Sequence, residues 1–492
     1  MSGTMATLPT LAQILVTACL GIVLVVGIVA SHLFRWGKNT RKSSSNGPKK
    51  IVYAFFHPHA SGGGGGERVL WKMIQFLQSS QHRKLRCRNC EADDDDEMEI
   101  IIYTIDPPST NERDLRLDAQ RRFDVTIPNP VQLVSLEEYN HYLVPQPFLS
   151  LVMESWGTMK LAKQALQKTT IQNSEFVFCD TTGCAFTFAM VRWMCPPTMK
   201  ILAYVHYPTI STDMMLWEWQ TKTKSIPQKM KTILKLVYYY LFSIAYGLCG
   251  SMADLVMVNS TWTYNHIHRL WRFRSRKQQP IQIVYPPCRV PSETSNAETN
   301  HKRTNTILSI GQFRPEKNHK LQIEALSVLF RNHPQHKANQ VRLLLIGSCR
   351  NDADRNRVQE LRELVARLGL QDHVVFNINP PYRELQEAAV QASIGIHTMR
   401  QEHFGIGIVE MMASGLLTIA HDSGGPKSDI VSPGTGFLAT SAEDYASAMH
   451  TALTLEATTA ATMRQSARAS STRFSDEAFD QSLEKVLPLL YY

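Results

Sequence analysis

The 492-residue sequence carries 52 Lys and Arg against 43 Asp and Glu, a formal charge of +9. Apolar residues make up 43% and charged residues 19%, with 25 Gly and 24 Pro. That balance excludes a disordered, collagen-like or coiled-coil chain. At about 150 residues per domain, it predicts three domains or two large ones. Nine cysteines, an odd number scattered from Cys19 to Cys349, argue against a disulfide framework and for a reducing compartment. Cys87 and Cys90 form a lone C-x-x-C with no second pair at zinc spacing, which reads as ordinary surface thiols.

The run Leu11–Phe34 contains no Lys, Arg, Asp or Glu. As a helix it spans ~36 Å, enough for a bilayer core with some tilt. No basic residue precedes it, as a cleaved signal peptide would require; Arg35, Lys38, Arg41, Lys42, Lys49 and Lys50 follow it instead. This predicts an uncleaved anchor with a short lumenal tail and everything after residue 35 in the cytosol. The same cluster holds most of the excess charge, so nucleic-acid binding is poorly supported and anionic lipid headgroups are the better match. The sequon Asn259-Ser260-Thr261 then lies on the wrong side of the membrane for glycosylation.

After a polar linker, Ile51–Phe56 is β-prone and is followed by His57-Pro58, five glycines (Gly62, Gly63, Gly64, Gly65 and Gly66) and the helix-spaced stretch Glu67–Ile74. Strand, glycine loop and helix in that order open a doubly wound sheet, and the loop either contacts a phosphate or substrate or is simply flexible. Asp93 to Glu97 reads as a solvated acidic loop. Leu234–Gly250 is apolar and rich in tyrosine, with Lys222, Lys224, Lys229, Lys231 and Lys235 just before or at its start. It is either a buried core helix or a helix lying on a membrane surface. Pro291 to Asn305 looks like an interdomain linker. From Thr306 onward, apolar runs at Thr306–Gly311, Val341–Ile346, Val374–Phe376, Ile394–His397 and Leu416–Ala420 alternate with helical stretches such as Arg357–Leu368, predicting a second parallel sheet. The fold class is α/β, with two Rossmann-like domains facing a cleft.

Glu402-His403-Phe404-Gly405-Ile406-Gly407-Ile408-Val409-Glu410 follows one of these strands and leads into a helix. The backbone around Gly405 can hold a phosphate at the helix start, Glu402 can face a sugar, and Glu410 can accept hydrogen bonds from vicinal ribose hydroxyls. Gly311–His319 follows another strand, and there Arg314 and Lys317 can neutralise a departing diphosphate without a metal. His206 ends an apolar strand in Tyr204–Pro208 and is either structural or directed at the cleft.

The E-x7-E element in the second half resembles the retaining nucleotide-sugar glycosyltransferases of the two-Rossmann (GT-B) fold. A narrower likeness rests on His57-Pro58, the glycine run with Glu67–Trp71, Val205–Met214, Val284–Cys288, Gly311–His319 and His403–Gly415. These resemble the dolichol-linked-oligosaccharide α-1,2-mannosyltransferases of asparagine-linked glycosylation, from about residue 50 to Arg473-Phe474-Ser475. The resemblance implies a GDP-mannose donor and a dolichol-diphosphate-linked acceptor, with the fourth and fifth mannoses of the precursor added at the cytosolic face of the endoplasmic reticulum. It implies catalytic roles for Glu402 and His206, donor contacts from Arg314, Lys317, Glu410, Phe404, Gly405 and Ile406, and a glycine loop, Gly62 to Gly66, lining the site. It implies no cofactor and no metal, contact with endoplasmic reticulum lipids, and association with other mannosyltransferases of the pathway. Many relatives place arginine directly after the glycine of the donor loop, where this chain has Gln312. The resulting division is a lumenal tail and anchor (1–34), a basic linker (35–50), an acceptor domain (51–290) with a membrane-associated helix near 234–250, a linker (291–305), a donor domain (306–470) and a C-terminal helix (471–492). The competing readings are a different sugar nucleotide transferred to a lipid-linked acceptor, or a membrane-anchored nucleotide-binding scaffold without activity.

Overall fold

The computed structural model describes residues 50–79, 98–107, 109–144, 146, 149–169, 174–196, 198–211, 226–275, 278–290 and 303–491. The apolar run Leu11–Phe34, Cys87, Cys90 and the acidic stretch Asp93–Glu97 lie outside the described residues. The chain divides into two compact units. One holds the residues up to Asn259, Thr263–Ile283 and Leu483–Tyr492; the other holds Ser260–Trp262 and Val284–Ser482.

The first unit is built on a seven-stranded sheet: β1 Lys50–Phe56, β2 Met98–Thr104, β3 Gln132–Ser135, β4 Ser174–Asp180, β5 Lys200–Val205, β6 Leu255–Val258 and β7 Gln282–Ile283. Their order is β3-β2-β1-β4-β5-β6-β7, and every recorded pairing is parallel. Six of the seven β1 residues are buried, as expected for a strand covered by helices on both faces. The C-terminal residues return to this unit, where Tyr491 and Tyr53 share a hydroxyl–hydroxyl hydrogen bond of 2.5 Å.

The second unit repeats the plan with β8 Thr304–Ile310, β9 Arg342–Gly347, β10 Val374–Ile378, β11 Ala392–Ile396, β12 Leu417–His421 and β13 Phe437–Ala439. The order is β10-β9-β8-β11-β12-β13, again parallel. Successive strand residues serve opposite faces: Ile307, Leu345 and Ile419 join one core, and Leu308, Ile346 and Ala420 the other. In both sheets the strand order reverses direction beside the first strand, between β1 and β4 and between β8 and β11. Loops leaving the carboxyl ends of strands diverge there, and doubly wound folds bind their ligands at that crevice.

The helix Ile226–Gly250 is longer than the apolar run that signals it. Its stretch Thr232–Gly250 is long and apolar enough to cross a membrane, yet 44% of its most apolar window is buried. Phe242, Tyr246 and Cys249 join the first unit's core, while Ile233, Val237 and Tyr240 are exposed four and three residues apart, on one face. The six described cysteines are all free and four of them are buried, so none forms a disulfide.

Gly347 ends β9 against the loop that follows β8. A Cβ there would lie 1.9 Å from the Gly311 carbonyl oxygen, a backbone atom that cannot yield. A Cβ at Gly63 would meet only the Arg122 guanidinium end, at 3.5 Å. Gly347→Ala is expected to cost about 3 kcal/mol and to lower the melting temperature by roughly 6–12 °C, whereas Gly63→Ala shifts it by less than about 2 °C. Thermal unfolding followed by circular dichroism checks the contrast.

Candidate active site

Both switch points carry a cluster of polar side chains. In the first unit β1 runs straight into His57, whose Nδ1 lies 2.6 Å from the Thr181 hydroxyl just beyond β4. The bond therefore spans the point where the strand order reverses. Its other nitrogen lies 3.7 Å from Glu67 Oε1. Glu67 sits in the first turn of the helix Gly65–Leu77, and its Oε2 accepts the Gly64 N–H at 2.7 Å, capping the helix start. Burial opposes ionisation of Glu67, but the hydrogen bond and charge of His57, with the Gly64 amide, hold its carboxyl below the ordinary range.

This cap explains much of the glycine run. A Cβ at Gly62 or Gly64 would come within 2.6 or 2.8 Å of the Glu67 carboxylate. Those two glycines make room for a side chain of their own helix. Gly63 faces Arg122, which donates to the Ser61 carbonyl at 2.9 Å. Gly66 faces His206: a Cβ built on it would lie 3.6 Å from the ring's Nε2. The glycine loop and His206 are thus brought together through Gly66.

His206 is the first residue after β5. Its carbonyl accepts the Asn259 side-chain amide at 2.8 Å, and Asn259 is itself bonded by the Thr263 hydroxyl at 2.6 Å. The sequon asparagine is thus a buried strut beneath His206. Beyond β4, the Asp180 carboxylate accepts the amides of Thr182 and Gly183 and the Thr182 hydroxyl. Burial pushes this carboxyl up to about 6 despite those bonds.

In the second unit, β8 leads through Gly311 into the short 3-10 turn Pro315–Lys317, and β11 leads through His397 toward Glu402. Across that switch point, Lys317 Nζ lies 2.5 Å from Glu402 Oε2. His397 Nε2 is 3.1 Å from the same oxygen. Lys317 also touches the Met399 sulfur at 3.3 Å, and its carbonyl accepts the Thr398 hydroxyl at 2.9 Å. Burial alone raises a carboxyl; here the Lys317 ammonium and the His397 ring outweigh it, so Glu402 stays ionised well below the usual range. Burial, with repulsion from Lys317, keeps His397 neutral against the pull of Glu402.

The backbone under Glu402 is held by residues that sequence reading passed over. Gly425 donates its N–H to the Glu402 carbonyl at 2.8 Å, and a Cβ on Gly424 would strike that carbonyl at 2.3 Å. Ser423 accepts the Gln401 amide at 2.8 Å and lies 2.9 Å from His421 Nδ1. The visible signal is the Ser-Gly-Gly-Pro run that begins two residues after β12.

Gly405 caps the helix Ile406–Ala413 with φ +116, a conformation open to glycine and strained for other residues. The amides of Ile406 and Gly407, in the first turn, have no intrahelical acceptor and are available to an anion. Glu410 is partly buried one turn further along. The Phe404 ring is 2% exposed and packs between Tyr285 and Phe474, with centroids at 5.8 and 5.2 Å. The Phe404 ring is therefore taken up by packing. Arg314 shares the loop of Lys317, but its neighbouring acid is Glu316, at 3.6 Å, rather than Glu402. Among the described residues, no group of three or more His, Cys, Asp or Glu is placed to hold a metal ion.

The model of the "ALG11 mannosyltransferase N-terminus" matches residues 50–271, and that of the "Glycosyl transferases group 1" matches 292–470. Three curated relatives carry the description GDP-Man:Man(3)GlcNAc(2)-PP-Dol alpha-1,2-mannosyltransferase. The Mus musculus protein is 40% identical over 95% of this chain and 94% of its own length. The Homo sapiens protein is 40% identical over 96% and 94%, and that of Dictyostelium discoideum 37% over 90% and 85%. The chain belongs to this mannosyltransferase family. Among solved structures, it is similar to Anabaena HepE in complex with UDP and glucose (TM-score 0.55, 17% identity, 89% of this chain and 99% of that one). It is also similar to sucrose-phosphate synthase from Thermosynechococcus elongatus (TM-score 0.60, 17% identity, 90% and 99%). At that identity the likeness is one of fold, and the fold is GT-B.

The electrostatics of Glu402 make a pH prediction. A carboxyl depressed in the folded chain contributes stability that is fully present above its unfolded value, 4.5, and is lost as pH falls through its folded value. The difference in unfolding free energy between wild type and Glu402→Gln is expected to move in favour of the glutamine protein between about pH 4.5 and pH 2, in urea titrations. A difference that stays constant across that range contradicts the ion pair.

Proposed function

We propose that the chain transfers mannose from GDP-mannose, with retention, onto the dolichol-diphosphate-linked Man3GlcNAc2 precursor of N-glycans, adding its fourth and fifth mannoses in α-1,2 linkage. The observation that carries this reading is the cluster of Lys317, Glu402 and His397 at the carboxyl ends of β8 and β11, in a chain 40% identical to mannosyltransferases of that description.

In this reading Lys317 and Arg314 grip the donor's diphosphate, aided by the amides around Gly405 and Ile406, while Glu402 faces the mannose and Glu410 the ribose. Within the first unit, His206 takes the catalytic role and the glycine loop the acceptor or phosphate contact that the resemblance implies. The bond from the anomeric carbon to the diphosphate oxygen breaks while the acceptor hydroxyl attaches on the same face, and its proton passes to the departing phosphate oxygen. What the protein supplies is fixed charge: cations for the leaving group and a carboxylate near the electron-poor sugar. No metal is required, because side-chain cations serve the diphosphate. The apolar run Leu11–Phe34 anchors the chain in the endoplasmic reticulum membrane with both units cytosolic, alongside other mannosyltransferases of the pathway. The exposed face of Ile233, Val237 and Tyr240 meets lipid.

Full-length purified protein, GDP-mannose carrying labelled mannose and a synthetic lipid-linked trimannoside test this directly. Two successive additions, both released by an α-1,2-mannosidase, are expected, and preference for a UDP-sugar overturns the donor assignment. Glu402→Gln is expected to lower turnover by about 10²–10³-fold while GDP binding persists. In the same assay EDTA is expected to leave the rate within about twofold; loss of turnover that a divalent cation restores contradicts the metal-free scheme.

A further inference from the structure

Both partners of Glu402 converge on one oxygen. Lys317 Nζ and His397 Nε2 reach Oε2, at 2.5 and 3.1 Å, and among the described residues no hydrogen bond is made to Oε1. His397 itself is fixed from every side. It follows β11 directly, its N–H donates to the Ile419 carbonyl at 2.9 Å, and its own carbonyl accepts the Tyr445 hydroxyl at 2.9 Å. Its ring is almost wholly enclosed, and its Nδ1 has no hydrogen-bond partner among the described residues. A buried neutral imidazole facing a carboxylate must present Nε2–H to it, which leaves Nδ1 as the bare nitrogen.

We propose that His397 is a positioning residue: its Nε2–H holds Oε2 of Glu402 and thereby leaves Oε1 as the oxygen that accepts hydrogen bonds from the hydroxyls of the donor hexose. The inference rests on the reading of Glu402 as the sugar-facing carboxylate. The two donors to Oε2 differ in what else they serve. Lys317 reaches Oε2 on a long, rotatable stem, with its side chain a quarter exposed, and in that reading it has a second anion to meet once a diphosphate arrives. His397 is rigid and has none, so it keeps the carboxylate in place when the ammonium turns away. A histidine at the end of β11 thus sets the orientation of a group five residues on, without touching substrate.

The test compares His397→Asn and His397→Gln in the full-length protein. Glutamine carries its amide nitrogen at about the reach of Nε2; asparagine is one methylene too short. His397→Asn is expected to lower kcat for mannose transfer by 10–100-fold, while calorimetric GDP affinity stays within threefold of wild type, since GDP has no hexose for Glu402 to meet. His397→Gln is expected to regain at least a third of the wild-type kcat, and thermal melting confirms that both variants fold. The proposal is overturned if His397→Asn turns over like wild type, if GDP affinity falls in proportion to kcat, or if the two variants are equally impaired. Glu402→Gln, run in parallel, separates the two claims. Should it remain fully active, the sugar-facing reading of Glu402 falls and this proposal with it. Should it be inactive while His397→Asn is unaffected, the positioning role alone falls.

Discussion

The feature on which the second unit is organised is a buried negative charge. Glu402 is drawn out of water at the carboxyl end of β11, and a carboxylate in that setting persists only where cations and hydrogen-bond donors replace its lost hydration. Lys317 supplies the charge from the opposite side of the switch point, and His397 supplies a neutral donor from the strand itself. Buried ion pairs of this kind are weak sources of stability, because desolvation offsets much of their attraction. Their presence at a ligand crevice fits a different use, that of holding charge in a fixed place before a charged substrate arrives.

Much of the surrounding structure serves that placement. Gly347 lets β9 approach Gly311, so the loop carrying Arg314 and Lys317 leaves β8 at a set angle. Gly424 and Gly425 admit the backbone of Glu402 against the loop after β12, and Phe404 is nailed between Tyr285 and Phe474 immediately after it. The first unit uses the same logic with different chemistry. His57, Glu67 and Thr181 tie the ends of β1 and β4 to a helix start, and Asn259 props up the backbone of His206.

The parts legible in the sequence were those that depend on local pattern. Ile51–Phe56 and the runs from Thr306 onward announced parallel strands because buried strands are continuously apolar, and Glu402 and Lys317 stood out because each lies in a loop between a strand and a helix. What the sequence could not display was contact at a distance. Lys317 and Glu402 are 85 positions apart, and nothing in either motif says that they share an oxygen. His397 read only as the end of an apolar run, since a histidine's role depends on which groups its ring meets. The glycine run suggested an anion loop, but two of its members are needed for the Glu67 side chain, a packing demand with no periodicity to betray it. The return of Leu483–Tyr492 to the first unit was hidden for the same reason, being fixed by tertiary packing rather than by any repeat.

The central claim, that Glu402 meets the hexose while Lys317 meets the diphosphate, is tested most directly by a crystal structure of the protein with intact GDP-mannose bound. The account predicts Glu402 Oε1 within about 3 Å of a mannose hydroxyl, Oε2 still on His397, and Lys317 Nζ within about 3 Å of a diphosphate oxygen. A mannose bound far from Glu402, or a diphosphate held without Lys317, would contradict it.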